Sequence, residues 1–259
     1  MNRNPSPLYW SLSAGTWFAV RVRISVLLPL VLLALLFQLP SWSLAVVFTG
    51  VLVASVAAHE FGHVMAARRT GGAAEEILLW PLGGLAMVQP ADRLSSRVWT
   101  AAGGLLVNLV LCLASLPIVW QAGHLAELLN PLNGVPDVAL AGPATAVLVD
   151  LTQLVFVVNW WLLLFNLLPV FPFDGGRLLQ AWLAHWFLGS ASTVVYVRIG
   201  SMVGFVLLVL GVIVDGPSIN GTWIVVLGAL VLVLNVQEAF GLQRGESEEG
   251  AFLGYDFSA

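Results

Sequence analysis

The sequence predicts an all-α polytopic membrane protein, with about six transmembrane helices and a small membrane-associated β-hairpin or sheet in its N-terminal half. Three observations carry this expectation. Of 259 residues, 59% are hydrophobic and 9% are charged, whereas soluble domains carry roughly 25% charged residues. Six apolar segments recur along the chain, separated by polar or proline-containing connections. The ten basic residues, all arginine, fall on alternate connections. The composition therefore excludes a water-soluble globule and a disordered chain. A net charge of −4 without a basic stripe excludes a nucleic-acid binder. Cys112, the single cysteine, lies in an apolar run and can form no intrachain disulfide.

Taken in order, Trp17–Ile24 alternates Val20, Val22 and Ile24 with Arg21 and Arg23, a strand-like period. The apolar segments follow at Ile24–Leu39, Leu44–Ala67, Val98–Trp120, Ala146–Leu168, Val194–Val214 and Thr222–Gly241. The first is short and holds Pro29. Pro40 and Trp42 follow it in place of a small-residue cleavage site, so it reads as a span and not a signal peptide. Ile77–Val88 places two short apolar runs around a Pro/Gly turn, the pattern of a hairpin or re-entrant loop. Gln243–Ala259 reads as a short, acidic, solvated tail. The expectation is one domain over residues 1–259, with its core at about 16–242 and no appended soluble domain.

Arginine placement sets the orientation. Arg3, Arg21 and Arg23 precede span one. Arg68, Arg69, Arg93 and Arg97 lie between spans two and three. Arg177 and Arg198 flank the connection of spans four and five, and Arg244 follows span six. With an even span number and the N-terminus inside, every arginine is cytoplasmic, as are both termini. Trp42, Trp99, Trp120 and Trp223 stand near span ends, where interfacial tryptophans belong.

The chemistry concentrates at His59-Glu60-Phe61-Gly62-His63, inside span two. Positions i and i+4 share a helix face. Two imidazoles so placed can bind one Zn²⁺, while the intervening glutamate reaches a zinc-bound water. The competing reading is a helix end that dips into the interface with both histidines merely hydrogen-bonded. It does not account for three ionisable groups within an apolar span, where each is costly. A catalytic zinc needs a third protein ligand. Asp174 ends the run Asn166-Leu167-Leu168-Pro169-Val170-Phe171-Pro172-Phe173-Asp174-Gly175-Gly176, where two prolines break the helix of span four. Asp174 could cap the helix that starts at Gly175 or ligate the metal. Its cytoplasmic-side depth matches that of the histidines and favours ligation. Asn108 and Asn166 are amides within spans and are open to two readings: contact with a substrate backbone or oxyanion, or hydrogen bonding between helices. His124 and His185 lack metal-ligand spacing and read as structural. Asp150 and Asp215 read as interfacial.

HEFGH together with Asn-x-x-Pro-x-x-Pro-x-Asp-Gly resembles the site-2 protease family of intramembrane zinc metalloproteases, most closely its compact bacterial and archaeal, sporulation-protease-like members. The resemblance covers about residues 16–180. It implies one zinc per chain held by His59, His63 and Asp174, with Glu60 as catalytic base. It implies a strand before span one paired with the Ile77–Val88 hairpin. Ala102–Asn108 is similar to the family's Gly-Pro-x-x-x-Asn segment, but Gly104 stands where the proline is usual. The implied activity is hydrolysis of peptide bonds in transmembrane segments of partner proteins near the cytoplasmic face. Membrane-tethered transcriptional regulators, anti-sigma factors and pro-sigma factors are the implied substrates. The chain is expected to lack the PDZ and CBS domains of larger members. The cell membrane of a prokaryote is the expected location. The alternatives are a membrane zinc transporter and a catalytically inactive relative that binds membrane proteins.

Overall fold

The fold is described from a computed structural model over residues 11–26, 28–80, 83–186, 190–214 and 221–243. Arg3, Asp215, Arg244 and residues 244–259 of the acidic tail lie outside the described residues. The chain is mostly helical, with one four-stranded sheet in its N-terminal part.

The sheet comprises β1 (Ser11–Trp17), β2 (Val20–Ser25), β3 (Ala73–Trp80) and β4 (Gly83–Gln89), in the order β1-β2-β3-β4. The β1/β2 and β3/β4 pairs are antiparallel, and β2/β3 is parallel. Val20, Val22, Ile77 and Leu79 pack one face of the sheet against Val56 and Val64 of the long helix α2 (Trp42–Arg69). Arg21 and Arg23 pair instead with Glu76, at 3.7 and 3.2 Å. This is the alternation read from the sequence. The strand expected at Trp17–Ile24 is nevertheless two strands, because the chain reverses at Phe18 and Ala19. Both have positive φ, 51° and 60°. Turn residues of that conformation are usually glycine or asparagine, so no turn signal stood in the sequence. The guanidinium of Arg68 supplies the constraint, donating to the carbonyls of Phe18 (2.7 Å) and Ala19 (3.1 Å). The hairpin reading also shifts. Its first arm, β3, is bonded on both sides, and among the described residues β4 is the arm that forms an edge of the sheet.

Each apolar segment holds a helix: α1 (Leu28–Gln38), α2, α3 (Leu94–Gln121), α5 (Ala144–Asn166), α7 (Ser190–Val214) and α8 (Thr222–Gln243). Among the described residues four stretches, Trp42–Arg69, Leu94–Gln121, Ala144–Asn166 and Val194–Val214, are long and apolar enough to cross a membrane, and the apolar helices of the first and sixth expected spans, Leu28–Gln38 and Ile224–Gln237, are shorter. The first expected span is cut short because Ile24 and Ser25 belong to β2. At 1.5 Å per residue the remaining α1 is about 16 Å long, half of a hydrocarbon core of about 30 Å. Between α3 and α5 lie α4 (Leu125–Leu129) and a 3₁₀ turn at Pro131–Asn133. Trp160 of α5 donates to the Leu129 carbonyl at 3.0 Å, and Asp150 accepts from the Leu140 amide at 2.9 Å. After α5 the chain unwinds through Pro169 and Pro172, with a cis Phe171–Pro172 peptide, and resumes as α6 (Asp174–Trp186).

Candidate metal centre

The site is built where α2 and α3 touch backbone to backbone. A Cβ on Gly62 would fall 2.5 Å from the Gly103 carbonyl oxygen, and one on Gly103 would fall 2.4 Å from that of Gly62. Only glycine at both positions permits this approach. It presents one stripe of α3, Thr100, Gly104 and Asn108 at i, i+4 and i+8, to the two histidines of α2. Gly104 stands directly against the imidazoles, for a Cβ there would lie 2.5 Å from Nε2 of both rings. Helix α3 runs through this point without interruption, so the missing proline brings no break.

His59, Glu60 and His63 are buried, with 4%, 3% and 1% of their surface exposed. His63 donates from Nδ1 to the Thr100 carbonyl at 2.7 Å, which leaves Nε2 as a free lone pair. His59 Nδ1 meets the Asn108 amide at 2.9 Å. As placed, the amide nitrogen donates. Turned by half a revolution, the same amide offers Oδ1, which has no partner, to a protonated Nδ1. In that state His59 also aims an unprotonated Nε2 at the centre.

Asp174 completes the group from the other side of the molecule. The break after α5 swings its carboxylate onto the histidine face. Oδ2 lies 3.0 Å from His59 Nε2 and 3.1 Å from His63 Nε2, and the two Nε2 atoms are 3.0 Å apart. Oδ2 is buried and receives no hydrogen bond. Oδ1 is turned toward Arg177, 3.8 Å away. The cap reading of Asp174 finds no such bond among the described residues. The Phe173 carbonyl instead accepts from the Gly176 and Arg177 amides that open α6. Gly175 is required here, because a Cβ would fall 2.4 Å from the Leu167 carbonyl oxygen.

Three electron-pair donors thus converge within 3.1 Å of one another in a buried site. Tetrahedral zinc with bonds of about 2.1 Å holds its ligand atoms roughly 3.4 Å apart. Two imidazole nitrogens and a carboxylate oxygen are a zinc donor set, so the residues fit the ion. The ligand-capable atoms of His59, Glu60 and His63 also lie within 4.8 Å of one another.

Of the residues singled out from sequence, the structure gathers His59, Glu60, His63, Asp174 and Asn108. Asn166 stays apart. Half-buried at the end of α5, it donates to the Leu162 carbonyl of its own helix at 2.9 Å. His124 pairs with Glu127 at 3.5 Å on the surface. Sequence reasoning missed Thr100, which acts through its backbone carbonyl and leaves no side-chain signal. It counted Arg177 only as a topological charge.

The model of peptidase family M50 matches residues 47–211. Rip3 of Mycobacterium tuberculosis is 31% identical over 201 residues, covering 76% of this chain and 47% of that protein. Zinc metalloprotease MJ0392 of Methanocaldococcus jannaschii is 31% identical over 162 residues, covering 62% and 42%. The chain therefore spans less than half the length of the curated relatives it matches. Among solved structures, a site-2 protease from Methanocaldococcus jannaschii superposes with a TM-score of 0.60 at 22% identity, over 89% of this chain and 95% of that one. That likeness reports the fold. With the family match spanning well over half the residues, this chain belongs to peptidase family M50, the site-2 protease family of zinc metalloproteases.

Proposed function

We propose that this chain is an intramembrane zinc metalloprotease that cuts peptide bonds in transmembrane segments of partner proteins near the cytoplasmic face. His59, His63 and Asp174 hold one zinc ion, and Glu60 is the general base. The observation that carries this reading is the convergence of His59 Nε2, His63 Nε2 and Asp174 Oδ2 within 3.1 Å of one another in a buried site. When bound, zinc polarises the scissile carbonyl and lowers the pKa of a water to near 7. Glu60 takes the proton from that water and returns it to the leaving amine. Thr100 and Asn108 keep the imidazoles oriented. The substrate helix must first open, because its carbonyls are closed in i→i−4 bonds. The edge of β4 receives the opened strand by backbone pairing.

The same reading sets six spans, both termini in the cytoplasm, and a membrane-tethered transcriptional regulator, anti-sigma or pro-sigma factor as substrate. A transporter would need polar steps across the whole depth. The buried hydroxyls of Thr49 and Ser115, in the outer halves of α2 and α3, are instead bonded to their own helices' carbonyls, at 2.7 and 2.8 Å.

The test uses wild type and Glu60→Gln purified in detergent. Zinc near one per chain in both, with cleavage of single-span substrates by wild type alone, is the expected result. The expected loss is of order 10²–10⁴-fold, the usual contribution of a general base. Equal cleavage by both, or no zinc in wild type, would overturn the reading.

A further inference from the structure

Asn235 is a polar side chain in the second half of α8, directly after the apolar run Ile224–Leu234, and it is fully buried. A buried amide in an apolar span is unfavourable unless its hydrogen bonds are used. One use is local: Nδ2 donates to the Val231 carbonyl, one turn back, at 2.8 Å. The other leaves the helix: Nδ2 also reaches the Phe171 carbonyl at 3.4 Å. Phe171 is three residues before Asp174, in the unwound segment that delivers the carboxylate to the histidines.

The surroundings are shaped for this contact. Asn235 faces Gly200 of α7, where a Cβ would lie 2.0 Å from Oδ1. Phe171 packs with Tyr196 and Val197 of α7, Leu183 of α6 and Leu78 of β3. Gly176, in the first turn of α6, abuts the Tyr196 hydroxyl and the Val170 carbonyl. Helices α7 and α8 approach each other closely at Gly204 and Gly228, so they pack as one frame. Within the proline segment Val170 donates to the Leu168 carbonyl and Phe173 to the Val170 carbonyl.

We propose that Asn235 is a positioning residue for Asp174. It ties the unwound segment to the α7–α8 frame through the Phe171 carbonyl, and so sets where the carboxylate meets the two imidazoles. This inference rests on reading the site as a zinc centre. An asparagine that served only to join α7 to α8 would have no need of a bond to the segment.

The experiment uses the full chain in detergent as wild type, Asn235→Leu, Asn235→Ala and Asn159→Leu. Asn159 is an equally buried span asparagine whose amide bonds Ser55, away from the segment. Zinc affinity is read by chelator competition. The ligand field is read from the absorption bands of the cobalt-loaded protein, and stability from thermal unfolding of the metal-free form. Both Asn235 variants are expected to bind zinc about 10-fold or more weakly, the scale of a lost partner behind a metal ligand. Their cobalt bands should shift, and their metal-free unfolding should stay close to wild type. Asn159→Leu should match wild type in affinity and spectrum. Unchanged affinity and spectrum in the Asn235 variants would overturn the inference and leave the zinc reading standing. So would an equal loss in Asn159→Leu. If Asn235→Leu does not purify as a folded protein, the smaller Asn235→Ala decides. A wild type that binds no metal would overturn both.

Discussion

At Asn108 the side-chain amide is fully buried and meets the His59 ring at 2.9 Å. The sequence left this residue between substrate contact and bonding between helices; the structure shows a bond between helices, α3 to α2, whose partner is an imidazole of the site. The i, i+4 spacing of His59 and His63 was legible because it depends on one helix alone. The ring that Asn108 touches was not, because it depends on how α3 is set against α2, and the Gly62–Gly103 crossing fixes that. Asp174 was legible by another route, since two prolines broke its helix. Asn108→Leu is expected to weaken zinc binding by about 10–100-fold. Asn166→Leu should leave zinc binding unchanged, since that amide is spent on its own helix. Chelator competition on the two proteins checks this, and matched affinities would refute the role given to Asn108.

At the scale of elements, the sheet departs furthest from what could be read. Periodicity marked the Trp17–Ile24 region and the Ile77–Val88 hairpin, but not the reversal at Phe18-Ala19. That turn is held by Arg68, some fifty residues away in sequence. Nor could pattern alone say which hairpin arm is an edge. The parallel pairing of Arg21–Ile24 with Glu76–Leu79 buries β3 in the sheet and leaves β4 outermost. A proline in β3 would remove ladder bonds and break the sheet. A proline in β4 removes an outward N–H at alternate positions only. Of Ala86→Pro and Met87→Pro, the one whose N–H points away from β3 should lower cleavage about tenfold or more with zinc still bound, if pairing loses one or more bonds of roughly 1.4 kcal/mol in total. Cleavage and metal content measured on both variants check this. Full cleavage by both would remove the strand-addition step.

At the scale of the molecule, the six apolar segments all became helices, because burial in lipid requires internally bonded backbone. What composition could not resolve was the length of the first and the sixth, whose apolar helices are shorter than the other four, the first because strand and span share Ile24. The arginine pattern predicts that the α4 end faces out and the α2–α3 connection faces in. In a Cys112→Ala background, an impermeant maleimide on intact cells should label Ala126→Cys and spare Asp92→Cys. The reverse pattern would invert the topology. The converging donors carry a further consequence for how the chain is made. His63 leaves the ribosome about 110 residues before Asp174, an interval of roughly 5–20 s at usual synthesis rates. Through much of that interval the imidazoles have only α3 to hold them, at Thr100 and Asn108. The nascent protein thus presents two donors and not three, a weak chelator, until its second half is inserted. Firm metal capture becomes a mark of completed assembly, and a chain truncated before Asp174 stays chemically inert in the membrane.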